Sequence, residues 1–421
     1  MRRSPVLAAV ATAATIACQS FTGPKPPPPS YPGPLTCAGS SATGFPAHLM
    51  VGFAGSDATA KKPGFDLRYQ YLAGGIPDGS GPCTDCRSAS CTSAGNLCDN
   101  AHGCGWWGCW QWDADPPGSF VSGFVTAAEA DGLLPMFTYY EILHSSGVAE
   151  GKPEATIAAN DLAFMSRYLA DFRFLLQRIG SHPALVHVEP DFWGYAQYAA
   201  IDAHTGAAGL PAKVASANPS DCGGLPDTIA GLGQCFVAMA RAWAPNARIA
   251  LHASAWASKF DCISNSDPGL DVAAEAQKTA AFLGACGAGA SDLVVIDIAD
   301  RDAGYYESIG RDAWLDPADL TLPTFAQAFK WSGAIAAATG KPVLWWQVPL
   351  GNMALPNHAG AWKDNRVDYF FQHPDRVANG GAIGMAFGSG ADGQTDPETD
   401  GGHFIAWTAA LEGVGGQPLC P

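Results

Sequence analysis

The sequence predicts a (β/α)8 barrel with a long disulfide-rich insertion after the second strand. Eight strand-like runs recur along the chain, and helix-like segments lie between most of them. Neither G-x-G-x-x-G nor a Walker sequence follows the first run, which argues against a dinucleotide-binding or P-loop fold. The eight runs are residues 49–55, 65–74, 133–142, 184–191, 248–257, 292–300, 341–349 and 382–388.

The segments between the runs carry apolar residues at helical spacing. They include residues 159–180, 226–243, 272–283 and 324–339, and Gly340 is placed to end the last of them. Only about ten residues, beginning at Ser56, separate the first two strands, which is short for a crossover with a full helix. We therefore expect the first helix to be a single turn or missing, unless one of these strands is misplaced.

The insertion covers residues 76–118 and leaves the carboxyl end of a strand, the end at which barrel enzymes carry their active sites. It holds six cysteines and four tryptophans: Cys83, Cys86, Cys91, Cys98, Cys104, Cys109, Trp106, Trp107, Trp110 and Trp112. The tryptophans fit either sugar-stacking platforms or a small satellite core, and the sequence does not decide between them.

The amino terminus is typical of an exported protein. Residues 1–18 combine two arginines with a short apolar run, and Cys18 stands where a bacterial lipoprotein signal would be cut. An ordinary secretory signal is the alternative. Residues 19–45 form a Pro-rich linker, and residues 46–421 form the barrel domain. We expect a monomer in the cell envelope or secreted, with membrane contact only through a lipid on Cys18.

Cysteine and charge usage narrow the class further. Twelve cysteines remain besides Cys18, an even number that suits disulfides in an oxidising compartment. Cys83-x-x-Cys86 has no second ligand pair, so we expect neither a metal nor a cofactor. The formal charge of −16 opposes nucleic-acid binding, which needs basic patches. An uncharged polymer such as a polysaccharide remains compatible with this charge.

The fourth strand carries the most informative pattern. In ALVHVEPD, the residues His187, Glu189 and Asp191 alternate with valines, so the three polar side chains should share one face. Parallel sheets are normally apolar on both faces, and polar side chains at strand ends typically line the mouth of a barrel. Asp297 interrupts the apolar run of the sixth strand in the same way. The catalytic candidates are therefore Glu189, Asp191 and Asp297, with Glu189 preferred as proton donor.

The same alternation gives a wider set of substrate-binding candidates. They are Arg68, Tyr139, Glu141, His187, Trp193, Tyr195, His252, Trp256, Trp345, Gln347 and Asn352. Aromatic side chains stack on sugar rings, and the polar ones hydrogen-bond hydroxyl groups. By alternation Trp346 should face the helices. The acidic loop with Asp392, Asp396, Glu398 and Asp400 is a candidate for Ca²⁺ but lacks EF-hand spacing, so we favour a solvated loop.

Over roughly residues 47–415 the chain resembles secreted (β/α)8-barrel glycoside hydrolases. A Glu at the end of the fourth strand is similar to the acid/base of their large retaining clan. That clan has a Glu at the end of the seventh strand, where WWQVPLGN has Gln347, which cannot ionise. Other barrel glycosidases place their carboxylates on strands four and six, which matches Glu189 or Asp191 with Asp297. The resemblance thus implies cleavage of O-glycosidic bonds by two carboxylates.

Two rival functions share the fold. A metal-dependent hydrolase would use His187, Glu189, Asp191, His252 and Asp297, although the first strand lacks His-x-His. A carbohydrate-binding lipoprotein without catalysis would fit the loss of an ionisable group at Gln347.

Overall fold

The computed structural model describes residues 29–73, 76 and 118–421, and the eight predicted strands form a closed parallel barrel in sequence order. The strands are β1 Met50–Phe53, β2 Leu67–Leu72, β3 Leu134–Tyr139, β4 Ala184–Val188, β5 Ala247–His252, β6 Leu293–Asp297, β7 Val343–Val348 and β8 Ala382–Phe387. Pairing of β8 with β1 closes the sheet. The (β/α)8 prediction is confirmed, whereas residues 77–117, with the six cysteines and four tryptophans of the insertion, lie outside the described residues.

Helices surround the barrel. They are α1 Asp57–Ala60, α2 Ser119–Ala130, α3 Ile142–Ser146, α4 Lys152–Thr156, α5 Leu162–Ile179, α6 Phe192–Asp202, α7 Pro219–Cys222, α8 Ile229–Trp243, α9 Val272–Ala285, α10 Ala303–Ser308, α11 Phe325–Thr339, α12 Arg366–Gln372, α13 Pro374–Asn379 and α14 His403–Gly413. The four predicted helices are confirmed as α5, α8, α9 and α11. The short connection after β1 holds the single turn α1, as its length predicted. Among the described helices, none is both long and apolar enough to cross a bilayer.

Local sequence explains where the longest helix begins and ends. The side chain of Asp161 accepts the N–H groups of Ala163 and Phe164, which would otherwise lack partners in the first turn of α5. Buried residues recur at helical spacing along α5 and pack on the barrel. Gly180 ends the helix with a φ of 58°, a conformation that glycine adopts without strain. This helix delivers Tyr168 to the carboxyl end of β4.

The two ends of the described chain meet at the amino ends of the strands. Cys37 and Cys420 form a disulfide, and a β-bridge joins Ala38 to Leu419. A second disulfide joins Cys222 to Cys235 and closes the α7–α8 region. Cys262 and Cys286, by contrast, are buried thiols. The disulfide prediction is thus met by four of the six cysteines in the described residues.

Candidate active site

Polar side chains converge where β3 to β7 end, at the carboxyl end of the barrel. His252 lies at the centre of this group: its Nε2 is 3.0 Å from Oδ1 of Asp297, and its Nδ1 is 3.1 Å from Nε2 of His187. Nδ1 of His187 is 3.3 Å from the hydroxyl oxygen of Thr138. The two imidazoles and Thr138 are buried, whereas Asp297 is partly exposed. The predicted inward orientation of His187, His252 and Asp297 is confirmed.

Asp191 lies in the electrostatic field of the same group. Tyr140 donates its hydroxyl to Oδ2 of Asp191 at 2.7 Å. Burial raises the pKa of Asp191 to about 6, and the nearby Asp297 carboxylate adds to the increase, although the hydrogen bond from Tyr140 favours the ionised form. Asp191 remains partly exposed at the mouth. Its carboxyl group can therefore hold a proton under mildly acidic conditions and reach a ligand.

Glu189 occupies a different environment from the one that alternation predicts. Its φ of 52° lies in the left-handed region, which turns the chain after Val188 and breaks the period of two. Oε1 accepts the backbone N–H groups of Glu141 and Ile142 and the hydroxyl of Tyr168, at 2.9, 3.1 and 2.8 Å. The residue has no exposed surface. The structure therefore corrects its orientation from the lumen to the helix layer.

Two further buried carboxyl groups lie near Glu189 beneath the mouth. Glu141, predicted to face the lumen, is buried and accepts the hydroxyl of Ser145 on α3 at 2.6 Å. Glu154 on α4 is buried and accepts the N–H of Gly151 at 2.8 Å. Burial raises the pKa of both Glu154 and Glu189 to about 8, so these two groups are protonated at neutral pH. Two neutral carboxyl groups, those of Glu154 and Glu189, thus lie near the end of β4.

The seventh strand reverses the predicted orientation of its two tryptophans. Trp345 packs against Phe329 and Phe370 of the helices, with ring centroids at 6.1 and 5.7 Å. Trp346 instead lies in the lumen, 4.8 Å from the ring of His187 and 5.8 Å from that of His252. The prediction that Trp345 faces the lumen and Trp346 the helices is wrong, because it assumed that the side chains of this strand alternate regularly up to Gln347.

Gln347 faces the lumen as predicted, but for a different reason. Its φ is 58°, and the pairing of β7 with β8 shifts register between Trp345 and Val348. This bulge places two consecutive side chains, Trp346 and Gln347, on the lumen side. Tyr71 donates its hydroxyl to Oε1 of Gln347. The amide therefore fixes the position of the Tyr71 hydroxyl.

On β2 and β3, the residues that face the lumen lie one position away from those that the alternation predicted. Arg68 lies against Phe124 of α2 at 5.0 Å and donates to Asp57, so it faces the helices. Tyr139 also faces the helices and donates to Asp171 at 2.8 Å. Lumen positions belong instead to Tyr69 and Tyr71 on β2 and to Thr138 on β3, with Tyr140 just beyond. Sequence reasoning missed these four because LRYQYL and FTYY offer polar or aromatic side chains in both registers.

Two predicted substrate contacts are structural. Trp193 is 1% exposed, donates its indole N–H to the carbonyl of Val188 at 2.9 Å, and so belongs to the core. Asn352 is 4% exposed; its amide nitrogen donates to the carbonyl of Asp400, and its oxygen accepts the N–H of Ala354. The predictions that these side chains contact substrate are wrong because neither reaches the mouth.

An aromatic cluster lies at the rim beside Asp191. The ring of Trp256 is 4.7 Å from that of Tyr195 and 5.3 Å from that of Tyr198, and all three are partly exposed. Tyr195 is fixed by its hydroxyl, which donates to Glu150 at 2.9 Å. A Cβ on Gly194 would lie 2.5 Å from the Trp256 ring, so this glycine permits the ring to lie on α6. Tyr195 and Trp256 are thus partly exposed at the rim, and their contact with a substrate stays a prediction.

Asp302, in the loop after β6, and Glu398 and Asp400, in the acidic loop after β8, accept hydrogen bonds from backbone N–H groups. Asp302 is buried and accepts the N–H groups of Gly351 and Thr395. Glu398 accepts the N–H of Ser56, and Asp400 caps α14 through the N–H of Phe404. Within the described ranges, no three His, Cys, Asp or Glu side chains form a group suited to a metal ion.

A separate cleft of about 650 Å³ opens at the amino ends of the strands, between Phe45, Leu134 and Arg248. We place the candidate site at the opposite end, where Asp191, His252 and Asp297 form a hydrogen-bonded and electrostatic group. Barrel enzymes also carry their chemistry at that carboxyl end.

No family model matches the chain, and no curated protein matches it. Among solved structures it is similar to a modular endo-β-1,4-mannanase from Cellulomonas fimi (11% identity, 88% of this chain and 74% of that one, TM-score 0.47). It is also similar to the GH53 catalytic domain of Ignisphaera aggregans (9% identity, 89% and 99%, TM-score 0.45) and to fungal β-1,4-galactanases (10% identity, 84% and 89%, TM-score 0.44). These structures are glycoside hydrolases, and at such low similarity no residue role or substrate is carried over from them.

Proposed function

We propose that the protein is an exported glycoside hydrolase that cleaves O-glycosidic bonds in an oligo- or polysaccharide. The observation that carries this proposal is the pair Asp191 and Asp297, two partly exposed carboxyl groups at the barrel mouth that interact electrostatically, with His252 within hydrogen-bond distance of Asp297. Two carboxyl groups suffice for this reaction, since one protonates the leaving oxygen and the other attacks the sugar or activates water.

We assign the proton donor to Asp191. Its pKa of about 6 allows the protonated form in mildly acidic solution, and Tyr140 occupies Oδ2, which leaves Oδ1 to carry the proton. Glu189, the donor preferred from sequence, is sealed below the mouth by Tyr168 and two backbone N–H groups. Its place in the reaction is therefore to support the backbone that carries Asp191.

Asp297 is the second carboxyl group of the reaction. His252 lies within hydrogen-bond distance of Oδ1, so an N–H at Nε2 would orient the carboxylate and stabilise its charge. Tyr71, which is partly exposed and held by Gln347, offers its hydroxyl oxygen to sugar hydroxyls, and the Tyr195–Trp256 cluster offers a stacking surface at the rim. No cofactor takes part in this scheme. We also propose that the protein is a monomer that is either tethered to the membrane by a lipid on Cys18 or secreted.

The test is a panel of plant, fungal and bacterial glycans assayed for released reducing ends with oxidised, full-length protein. Asp191→Asn and Asp297→Asn should each lower kcat about 10²- to 10⁴-fold on any glycan that is cleaved, the usual contribution of an acid or base. The matched control is Asp375→Asn, on the exposed surface of α13, which should keep the wild-type rate. Binding of a glycan without any product would replace this proposal with the carbohydrate-binding alternative, and unchanged rates in both variants would refute the residue assignment.

A further inference from the structure

Four side chains from four neighbouring strands form a continuous hydrogen-bonded chain across the lumen. Thr138 on β3 is paired in register with His187 on β4, His187 contacts His252 on β5, and His252 contacts Asp297 at the end of β6. The first three are at most 2% exposed. A chain of this kind has few ways to place its protons, because each of the four imidazole nitrogens has its partner within the chain.

The donors can be assigned from the Asp297 end. A carboxylate accepts only, so Nε2 of His252 must carry a hydrogen. A neutral imidazole has one N–H, so Nδ1 of His252 is then an acceptor, and Nε2 of His187 must donate to it. Nδ1 of His187 consequently carries no hydrogen and accepts a hydrogen bond from the hydroxyl of Thr138. With both rings neutral, this is the one arrangement in which every contact of the chain is a hydrogen bond.

We infer that His187 is a positioning residue: its Nε2–H fixes the tautomer of His252, so that His252 presents an N–H to Asp297. This inference rests on the proposed role of Asp297 and replaces the sequence-based assignment of His187 to substrate binding. His187 has no exposed surface and cannot touch a sugar, so its effect on the reaction must pass through His252.

The surroundings of His187 keep its ring neutral and in place. Burial and the neighbouring His252 lower the pKa of His187 well below its ordinary value. Trp346 from β7 packs edge-on against both imidazoles, and Thr138 from β3 occupies the remaining nitrogen. The charged groups facing this pair are Asp297 and Asp191, both on the side of His252. A neutral His187 therefore donates one defined hydrogen to its neighbour.

The test compares His187→Gln with His187→Met, two side chains of similar shape. The glutamine amide can still donate to Nδ1 of His252, whereas methionine cannot. We expect His187→Met to lower kcat at least tenfold with KM unchanged. It should also move the acid limb of the pH profile to higher pH, because Asp297 is harder to ionise when it faces a nitrogen of His252 that carries no hydrogen. His187→Gln should recover most of the rate and the wild-type limb. Equal kcat and equal pH profiles in the two variants would overturn the inference.

A second measurement does not depend on turnover or on variants. ¹⁵N-edited NMR of the wild-type imidazoles should show a hydrogen on Nε2 and none on Nδ1 for both His187 and His252. A hydrogen on Nδ1 of His252 would overturn the assignment. Should no glycan be cleaved, the proposed function fails while this spectrum still decides the tautomer.

Discussion

The pH dependence of turnover should identify the proton donor. A donor acts in its protonated form, so activity is lost as pH rises through its pKa. Asp191 has a pKa of about 6 and Glu189 a pKa of about 8, both raised by burial. If Asp191 is the donor, only about 1% of the enzyme is active at pH 8, whereas about half would be active with Glu189 as donor. The two assignments thus differ by roughly 50-fold at that pH.

The assay is kcat/KM measured from pH 5 to pH 9 on a glycan found by the panel. We expect an alkaline limb with its midpoint near pH 6, and Glu189→Gln should leave that midpoint in place. Glutamine keeps the acceptor for Tyr168 and the two backbone N–H groups, so this variant removes ionisation without removing those contacts. A wild-type limb near pH 8 that vanishes in Glu189→Gln would refute the assignment of Asp191.

Three further predictions concern stability and ligand reach. The pKa of Glu189 is raised from 4.5 to about 8, so the folded state binds a proton that the unfolded state releases, and the stability of the wild type should fall as pH rises from about 4.5 to about 8. Glu189→Gln should flatten this decline when the free energy of unfolding in urea is measured at pH 5 and pH 8.5. Parallel declines in the two proteins would contradict the prediction. The chain-entropy relation assigns about 6 kcal/mol of stabilisation to Cys37–Cys420, which spans 383 residues, and about 3 kcal/mol to Cys222–Cys235, which spans 13. Replacing the first pair by serine should therefore lower the free energy of unfolding more than replacing the second. The reverse order would show that loop length does not set the effect. Gly194→Ala should displace the Trp256 ring and raise KM for long oligosaccharides more than for short ones. Gly284→Ala is the control, because a Cβ at that position meets no neighbour. Equal KM changes for both oligosaccharide lengths would show that the rim cluster does not bind substrate.

Sequence patterns predicted strands far better than the faces of those strands. The eight runs and four helices follow from hydrophobic periodicity, which the barrel preserves. Orientation failed where backbone geometry interrupts the period: Glu189 and Gln347 adopt positive φ at strand ends, a conformation that sequence does not signal for these residue types. Both lie beside the candidate site, as strained residues often do.

A different failure affected β2 and β3. There the backbone is regular, but both faces carry large polar or aromatic side chains, so Arg68 and Tyr139 looked as suitable for the lumen as Tyr71 and Tyr140. Burial of the arginine against Phe124 and of Tyr139 against Asp171 depends on the helix layer, which no single strand encodes. By contrast, Asp297 was placed correctly because it is the single polar residue of β6, and His252 because the three residues before it in β5 are apolar.

The disulfide between the two ends of the described chain bears on how the protein can be presented to an insoluble polymer. Cys420, next to the last residue, is bonded to Cys37 where the strands begin, on the side away from Asp191 and Asp297. A bead or surface coupled after Pro421 would therefore hold the molecule by the face at the amino ends of the strands, with the mouth at the carboxyl ends directed outward. Immobilised in this way, the protein should approach particulate material with the same freedom as the soluble form.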